Sequence, residues 1–177
     1  MKYYKLGLLS VVLLMLAACA SMTIDTHSKI QMSANTRLGI LPFENNTTVP
    51  QAGDRVAAIT QGLLLTKGIK HIYLYPRRNQ CKNLISCANQ MPSSRRIKAW
   101  ARRHHLNYIV KGTVNEWRYK VGLDGEPAAN ITLQILAAKS NRVVWSSVGS
   151  KTGGSRSGLS TMGQILLNNM FLSIVVQ

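Results

Sequence analysis

Carboxylates are scarce in this chain: six Asp and Glu stand against 22 Lys and Arg in 177 residues, a formal charge of +16. Acid-base chemistry by paired carboxylates therefore has little material. The one close pair, Asp124 and Glu126, falls in a glycine-containing turn of ordinary composition with no third group beside it. A phosphate-cradling loop is missing too, because Gly149-Ser150-Lys151-Thr152 puts serine where glycine must directly precede lysine. No serine stands in a nucleophile elbow. His104 and His105 are adjacent in a predicted helix and point about 100° apart, so they cannot share one metal ion. No apolar run reaches the roughly 20 residues that a membrane-spanning helix requires. These absences predict a protein that is not an enzyme and carries no cofactor and no metal.

What is present starts at the N-terminus. Met1-Lys2-Tyr3-Tyr4-Lys5 is a positive leader, and Leu6 to Ala18 is a short apolar stretch, together the pattern of a secretory signal peptide over residues 1–18. The stretch ends in Leu16-Ala17-Ala18-Cys19, a lipobox, which makes Cys19 the expected lipidation site and first mature residue. Three acyl chains there would anchor firmly, since each buried methylene contributes about 0.8 kcal/mol. Ala20 and Ser21 replace the aspartate that holds many bacterial lipoproteins in the inner membrane, so the expected location is the periplasmic face of the outer membrane. Removal of the signal takes Lys2 and Lys5 with it, so the mature charge is 16 minus 2, or +14. Such an excess suits an anionic partner: lipid head groups, an acidic polymer or an acidic protein. Nucleic acid does not fit a chain tethered outside the cytoplasm. The bland alternative is a solvated basic surface. Cys81 and Cys87 are an even pair in an oxidising compartment, and either a local disulfide or two free thiols fits that spacing; zinc does not, for want of histidines at ligand distance.

Residues 20 to 35 are polar and without periodicity, and they read as a tether, so that 19–36 is a lipidated spacer and 37–177 a single domain. Arg37 to Phe43 reads as a buried first strand stopped by Pro42 and the turn Glu44-Asn45-Asn46-Thr47. Val56, Ile59, Leu63 and Leu64 recur at helical spacing, with Asp54 in the first turn and Lys67-Gly68 as the stop. His71 to Tyr75 predicts a second strand, and the loop from Arg77 to Pro92 holds the cysteine pair. In a second helix, opened by Ser93 or Ser94, Ile97, Trp100, Ala101 and His104 share one face against a basic one. Asn107 to Val121 is a long β-branched and aromatic strand, followed by strands around Ile131 to Ile135 and from Val143, and by a final helix along Leu159, Met162, Gly163, Leu166 and Met170. The order β-α-β-α-β-β-β-α predicts an α/β fold, a small mixed sheet with helices packed on it.

Two stretches resemble the PelC-type lipoproteins of Pel exopolysaccharide export. One is Leu38-Gly39-Ile40-Leu41-Pro42-Phe43-Glu44-Asn45-Asn46-Thr47, leading through Gly53-Asp54-Arg55-Val56 into a helix. The other, more specific, is Asn115-Glu116-Trp117-Arg118-Tyr119-Lys120-Val121-Gly122-Leu123-Asp124-Gly125-Glu126-Pro127-Ala128, continuing to Thr132-Leu133 and Arg142-Val143-Val144-Trp145-Ser146. The likeness covers roughly residues 37 to 170. It implies a fold similar to the N-terminal domain of TolB, and a non-enzymatic outer-membrane lipoprotein. It also implies a homo-oligomeric ring, a dodecamer in the family, that forms a periplasmic collar beneath a β-barrel exporter for exopolysaccharide in transit and biofilm matrix. This chain departs from the family in its charge. The family collar is expected to offer an acidic lumen to a cationic polymer, so either Glu44, Glu116, Asp124 and Glu126 gather there or the cargo differs.

Trp117 and Trp145 have two readings, core packing or an amphipathic aromatic at a subunit or membrane interface. Arg118 and Lys120 alternate with Trp117 and Tyr119, so a pleated strand sends cations to one face and aromatics to the other. The cations of one subunit would then meet the turn holding Asp124 and Glu126 on the next, a head-to-tail contact able to close a ring. Two other roles suit a small lipoprotein of this type: a subunit of the outer-membrane cap of a protein secretion system, or a regulator of a cell-wall synthase.

Overall fold

The computed structural model describes residues 21–76, 91–121, 125–154 and 156–177. Along the chain come β1 (Met22–His27), β2 (Ile30–Met32), β3 (Arg37–Ile40), β4 (Glu44–Asn45), α1 (Ala52–Thr66), β5 (His71–Leu74) and α2 (Ser94–Arg103). Then follow β6 (Tyr108–Tyr119), β7 (Pro127–Ala137), β8 (Val143–Thr152), α3 (Leu159–Met170), one 3-10 turn at Phe171–Ser173 and β9 (Ile174–Val176). Seven strands form a mixed sheet in the order β1-β8-β7-β6-β3-β5, with β4 continuing beyond β3 alongside β6. β3 is parallel to both β5 and β6, as the two helical crossovers α1 and α2 require, and β6, β7, β8 and β1 are successively antiparallel. The mixed α/β architecture is the one that the alternation of periodicities predicts.

One face of the sheet carries α1 and α3 over the main core. Leu38, Ile40, Ile131, Leu133 and Ile135 from the strands meet Val56, Leu64, Leu166 and Met170 from the helices, all at 1% exposure or less. Each such side chain contributes about 1.5–3 kcal/mol by burial, which is why the period-2 and period-3.6 patterns place these elements. Among the described residues, α2 is the helix on the opposite face. Trp100 and Ala101 pack there on Leu41, Leu106 and Ile109, with Ile97 at the margin. Gly39 is what admits this helix: a Cβ on it would stand 2.6 Å from the Trp100 ring. Beyond α2 the sheet face is polar. Asn130, Thr132, Gln134, Ser146 and Ser150 lie half-exposed on it.

The expected tether departs from this structure. From Met22 onward residues 20 to 35 are built into the fold: β1 is the edge strand against β8, and β2 forms a small parallel ladder with β9 that buries Ile30 and Met32. The reason is that β1 takes its stability from backbone pairing. Only Ile24 packs on the core, so five of its six side chains are polar or exposed and leave no periodic trace. Ser93 does take the N-cap position of α2, but its hydroxyl makes no capping bond.

Candidate functional site

The residues singled out above lie at the end of the sheet where β6 runs out and β7 begins. β6 carries an irregularity between Val114 and Glu116 that leaves Asn115 without a cross-strand partner. Asn115 and Glu116 then both turn to the open face, and the next residue, Trp117, returns to the core. Asn115 Nδ2 donates to Asn130 Oδ1 at 3.0 Å, and Asn46 Nδ2 donates to Asn115 Oδ1 at 3.3 Å, a short amide ladder across β4, β6 and β7.

Trp117 is wholly buried. Its ring lies over Gly163 of α3, where any Cβ would collide with it, and its Nε1–H has no acceptor among the described residues. Trp145 is also wholly buried: its Nε1–H donates to Ser173 Oγ at 2.9 Å and its ring packs at 6.1 Å from Phe171. Neither indole reaches the surface of the chain, so the interface reading of both tryptophans gives way to core packing. The pleat explains it, since the odd positions after the bulge face the helices.

The predicted alternation of cations and aromatics holds along β6. Tyr119, half-exposed, stays on the helical side and accepts the Leu159 N–H on its hydroxyl at 3.1 Å, which satisfies a backbone donor at the start of α3 that Gly158 cannot cap. Arg118 faces the other way, where its Nε donates to Glu116 Oε1 at 2.9 Å on the same strand. The arginine is thus engaged within its own chain. Lys120, exposed just past the strand, gives its backbone N–H to Glu126 O at 2.7 Å and closes the hairpin base. Cys19, Cys81, Cys87 and Asp124 lie outside the described residues.

One feature of this end had no signal in the sequence. Ser21, two positions after Cys19, is pinned to the end of β8: its carbonyl accepts the Thr152 N–H at 2.9 Å and the two hydroxyls are 2.9 Å apart.

A groove of about 410 Å³ opens where β3 and β5 end, lined by Ile40, Leu41, Pro42, Ala57 and Tyr75 with Asp54 as its one carboxylate. Among the described residues no three His, Cys, Asp or Glu gather to hold a metal, and no helix is long and apolar enough to cross a membrane. Among the described residues the site is an assembly of packing, capping and exposed polar groups.

No protein-family model and no curated protein sequence matches the chain. Solved structures do. A PelC dodecamer from Paraburkholderia phytofirmans is 28% identical over 86% of this chain and 96% of its own, with a TM-score of 0.74. A single-substitution variant of that dodecamer in another crystal form is also 28% identical, over 89% of this chain and 100% of its own, at 0.75. The lipoprotein GNA1162 from Neisseria meningitidis shares the fold at 14% identity and a TM-score of 0.54, over 73% of this chain and 91% of its own.

Proposed function

We infer, from the premise that this chain is a PelC-type protein, that it is a non-enzymatic outer-membrane lipoprotein, acylated on Cys19. Copies of it assemble into a periplasmic ring, a collar that supports export of a Pel-like exopolysaccharide through a β-barrel exporter. The observation that carries this reading is joint likeness in sequence and fold, over nearly the whole domain, to a protein crystallised as a dodecamer. The 115–128 string supports it by occupying one place, the β6–β7 hairpin and its packing onto α3.

Two details shape the reading. Because Ser21 is already bonded into the sheet, the spacer between lipid and domain is far shorter than a tether of 16 residues, and the domain sits close under its membrane. A synthase regulator that must reach out toward the cell wall is disfavoured on the same ground. Of the four acidic residues that the resemblance singles out for a lumen, Glu44 pairs in register with Thr113, Glu116 lies on β6 and Glu126 precedes β7, so they run from the middle of β6 to the half nearest Ser21. That half is where we place the polymer path.

Native mass spectrometry of the acylated mature protein in nonionic detergent tests the proposal. A closed oligomer of about twelve chains is expected, with Cys19→Ser removing the acyl mass and releasing the protein from membranes. Monomer alone at high protein concentration would overturn the ring.

A further inference from the structure

Charge is sorted along the sheet. The starts of β3, β5 and β6, the C-terminus of α2 and the β7–β8 turn converge at the end remote from Ser21. Main-chain bonds tie them together. Arg37 N–H donates to Asn107 Oδ1 at 2.8 Å, Asn107 N–H to Arg37 O at 2.8 Å, Ala138 N–H to Asn107 O at 2.9 Å and Lys70 N–H to Ala34 O at 2.9 Å. The segments that meet here carry Arg37, Lys70, Arg102, Arg103, Lys139 and Arg142. None of the described carboxylate side chains is there: Asp25 stands level with Val148 midway along β8, Asp54 opens α1 at the far ends of β3 and β5, Glu44 is level with Thr113 midway along β6, and Glu116 and Glu126 lie at or near the end of β6. Among the described residues, none of these six cations has an ion-pair partner.

The junction is ordered as well as charged. Arg37 Nη1 donates to His104 O at 3.4 Å and its guanidinium carbon lies 5.9 Å over the Tyr73 ring. Tyr73 contacts the His104 ring at 5.0 Å, and His104 contacts Trp100 at 5.8 Å. A guanidinium held in place by a carbonyl and an aromatic face loses little further freedom on meeting a ligand.

Ser21 and Thr152 mark the other end. A 12-residue strand such as β6 spans roughly 36 Å at about 3.3 Å per residue, several times the ~8 Å Debye length at physiological salt. An acyl chain two positions before Ser21 would therefore attach at the end of the sheet opposite to the basic one.

We propose that this basic end is a docking surface for an acidic face of a periplasmic partner protein. The orientation rests on the reading of Cys19 as the lipidated residue; the recognition chemistry does not. Four of the six cations are arginines, whose planar forks pair with carboxylates bidentately, and one of them, Arg37, lies over the Tyr73 ring, the pairing of arginine with an aromatic that protein-binding hot spots favour. A flexible polyanion would be attracted by the same charge but has no use for a pre-set guanidinium.

The test uses the acylated mature protein in nonionic detergent and a fluorescent poly-L-glutamate peptide, read by anisotropy at about 150 mM salt. Reversal of Arg37, Arg102 and Arg142 to Glu is expected to weaken binding tenfold or more. Reversal of Lys120, Lys151 and Arg156 to Glu, an equal charge change at the anchor end, is expected to weaken it less than threefold. Arg37→Lys, which keeps the charge and loses the fork, is expected to cost threefold or more and serves if the triple variant does not fold. Equal losses from the two triples, an unchanged affinity in Arg37→Lys, tighter capture of polygalacturonate than of polyglutamate, or loss of binding to phosphatidylglycerol vesicles from the first triple and not the second would each overturn the proposal. Native mass spectra of the same samples report the ring separately, so failure to dock and failure to assemble are distinguishable.

Discussion

The two ends of the long β6–β7–β8 ladder are built in opposite ways. At the Ser21 end, the anchor end on the reading of Cys19 as lipidated, four side chains are engaged by their own chain: Trp117 by Gly163, Tyr119 by the start of α3, Arg118 by Glu116 and Ser21 by Thr152. At the remote end, cations from four separate segments are brought together and have no ion-pair partner among the described residues. A contiguous and distinctive run of sequence thus proves to be largely internal carpentry. The exposed recognition chemistry comes from positions as far apart as Arg37 and Arg142. The contrast can be broken or sharpened by substitution, and the largest effects belong to the anchor end.

Trp117→Ala empties a fully buried site, and losses for such truncations run at about 3–5 kcal/mol. Urea denaturation at fixed protomer concentration should show that loss, with the oligomer weakened only as far as the fold is. If assembly collapses while the unfolding midpoint holds, the indole belongs to an interface after all. Trp117→Phe should cost much less, because the ring that remains still fills most of the space and the N–H that is removed has no acceptor among the described residues.

Gly163→Ala comes next. In an exposed helix the change gains up to about 1 kcal/mol from propensity. Here the added methyl meets the Trp117 ring, so the sign should reverse to a loss of about 1–3 kcal/mol from overpacking. Combining it with Trp117→Phe should recover part of that loss; strict additivity in the double variant would deny that the two side chains share one space. Tyr119→Phe is smaller again. It removes the acceptor for the Leu159 N–H, and a loss of about 0.5–1.5 kcal/mol is expected, visible as a lower thermal midpoint.

The same contrast explains what could be read before the structure. Ile131, Leu133 and Ile135 announce β7, and Leu159 to Met170 announce α3, because burial imposes a period on neighbours in sequence. The alternation of Arg118 with Trp117 and Tyr119 was legible for that reason too. β1 was not, since an edge strand paired with residues more than a hundred positions away needs only backbone and can afford polar side chains. Nor were β2 and β9, three residues each, whose apolar positions gain meaning only when paired. The burial of Trp117 was half legible: the pleat gives two faces, but which one is covered depends on where α3 lands. The basic junction was invisible as a site, for composition reports an excess of cations without saying that they meet.

The smallest expected effect concerns Arg118, whose side chain stays largely exposed beside its partner. Arg118 carries 57% exposure in its side chain and Glu116 29%, and a pair so open to solvent contributes only about 0–1 kcal/mol. Glu116→Gln should therefore leave the unfolding midpoint almost unchanged while releasing the guanidinium. If Arg118 also serves the acidic turn of a neighbouring subunit, Glu116 competes for it, and its neutralisation should shift the oligomer to lower protomer concentration. Arg118→Glu should weaken the oligomer, Asp124→Lys should do the same, and the two together should restore it in part. Dilution series followed by light scattering decide the matter. An oligomer that dissociates at the same concentration in Glu116→Gln as in the unaltered protein would confine Arg118 to its own strand, and the ring would then have to be closed by other residues.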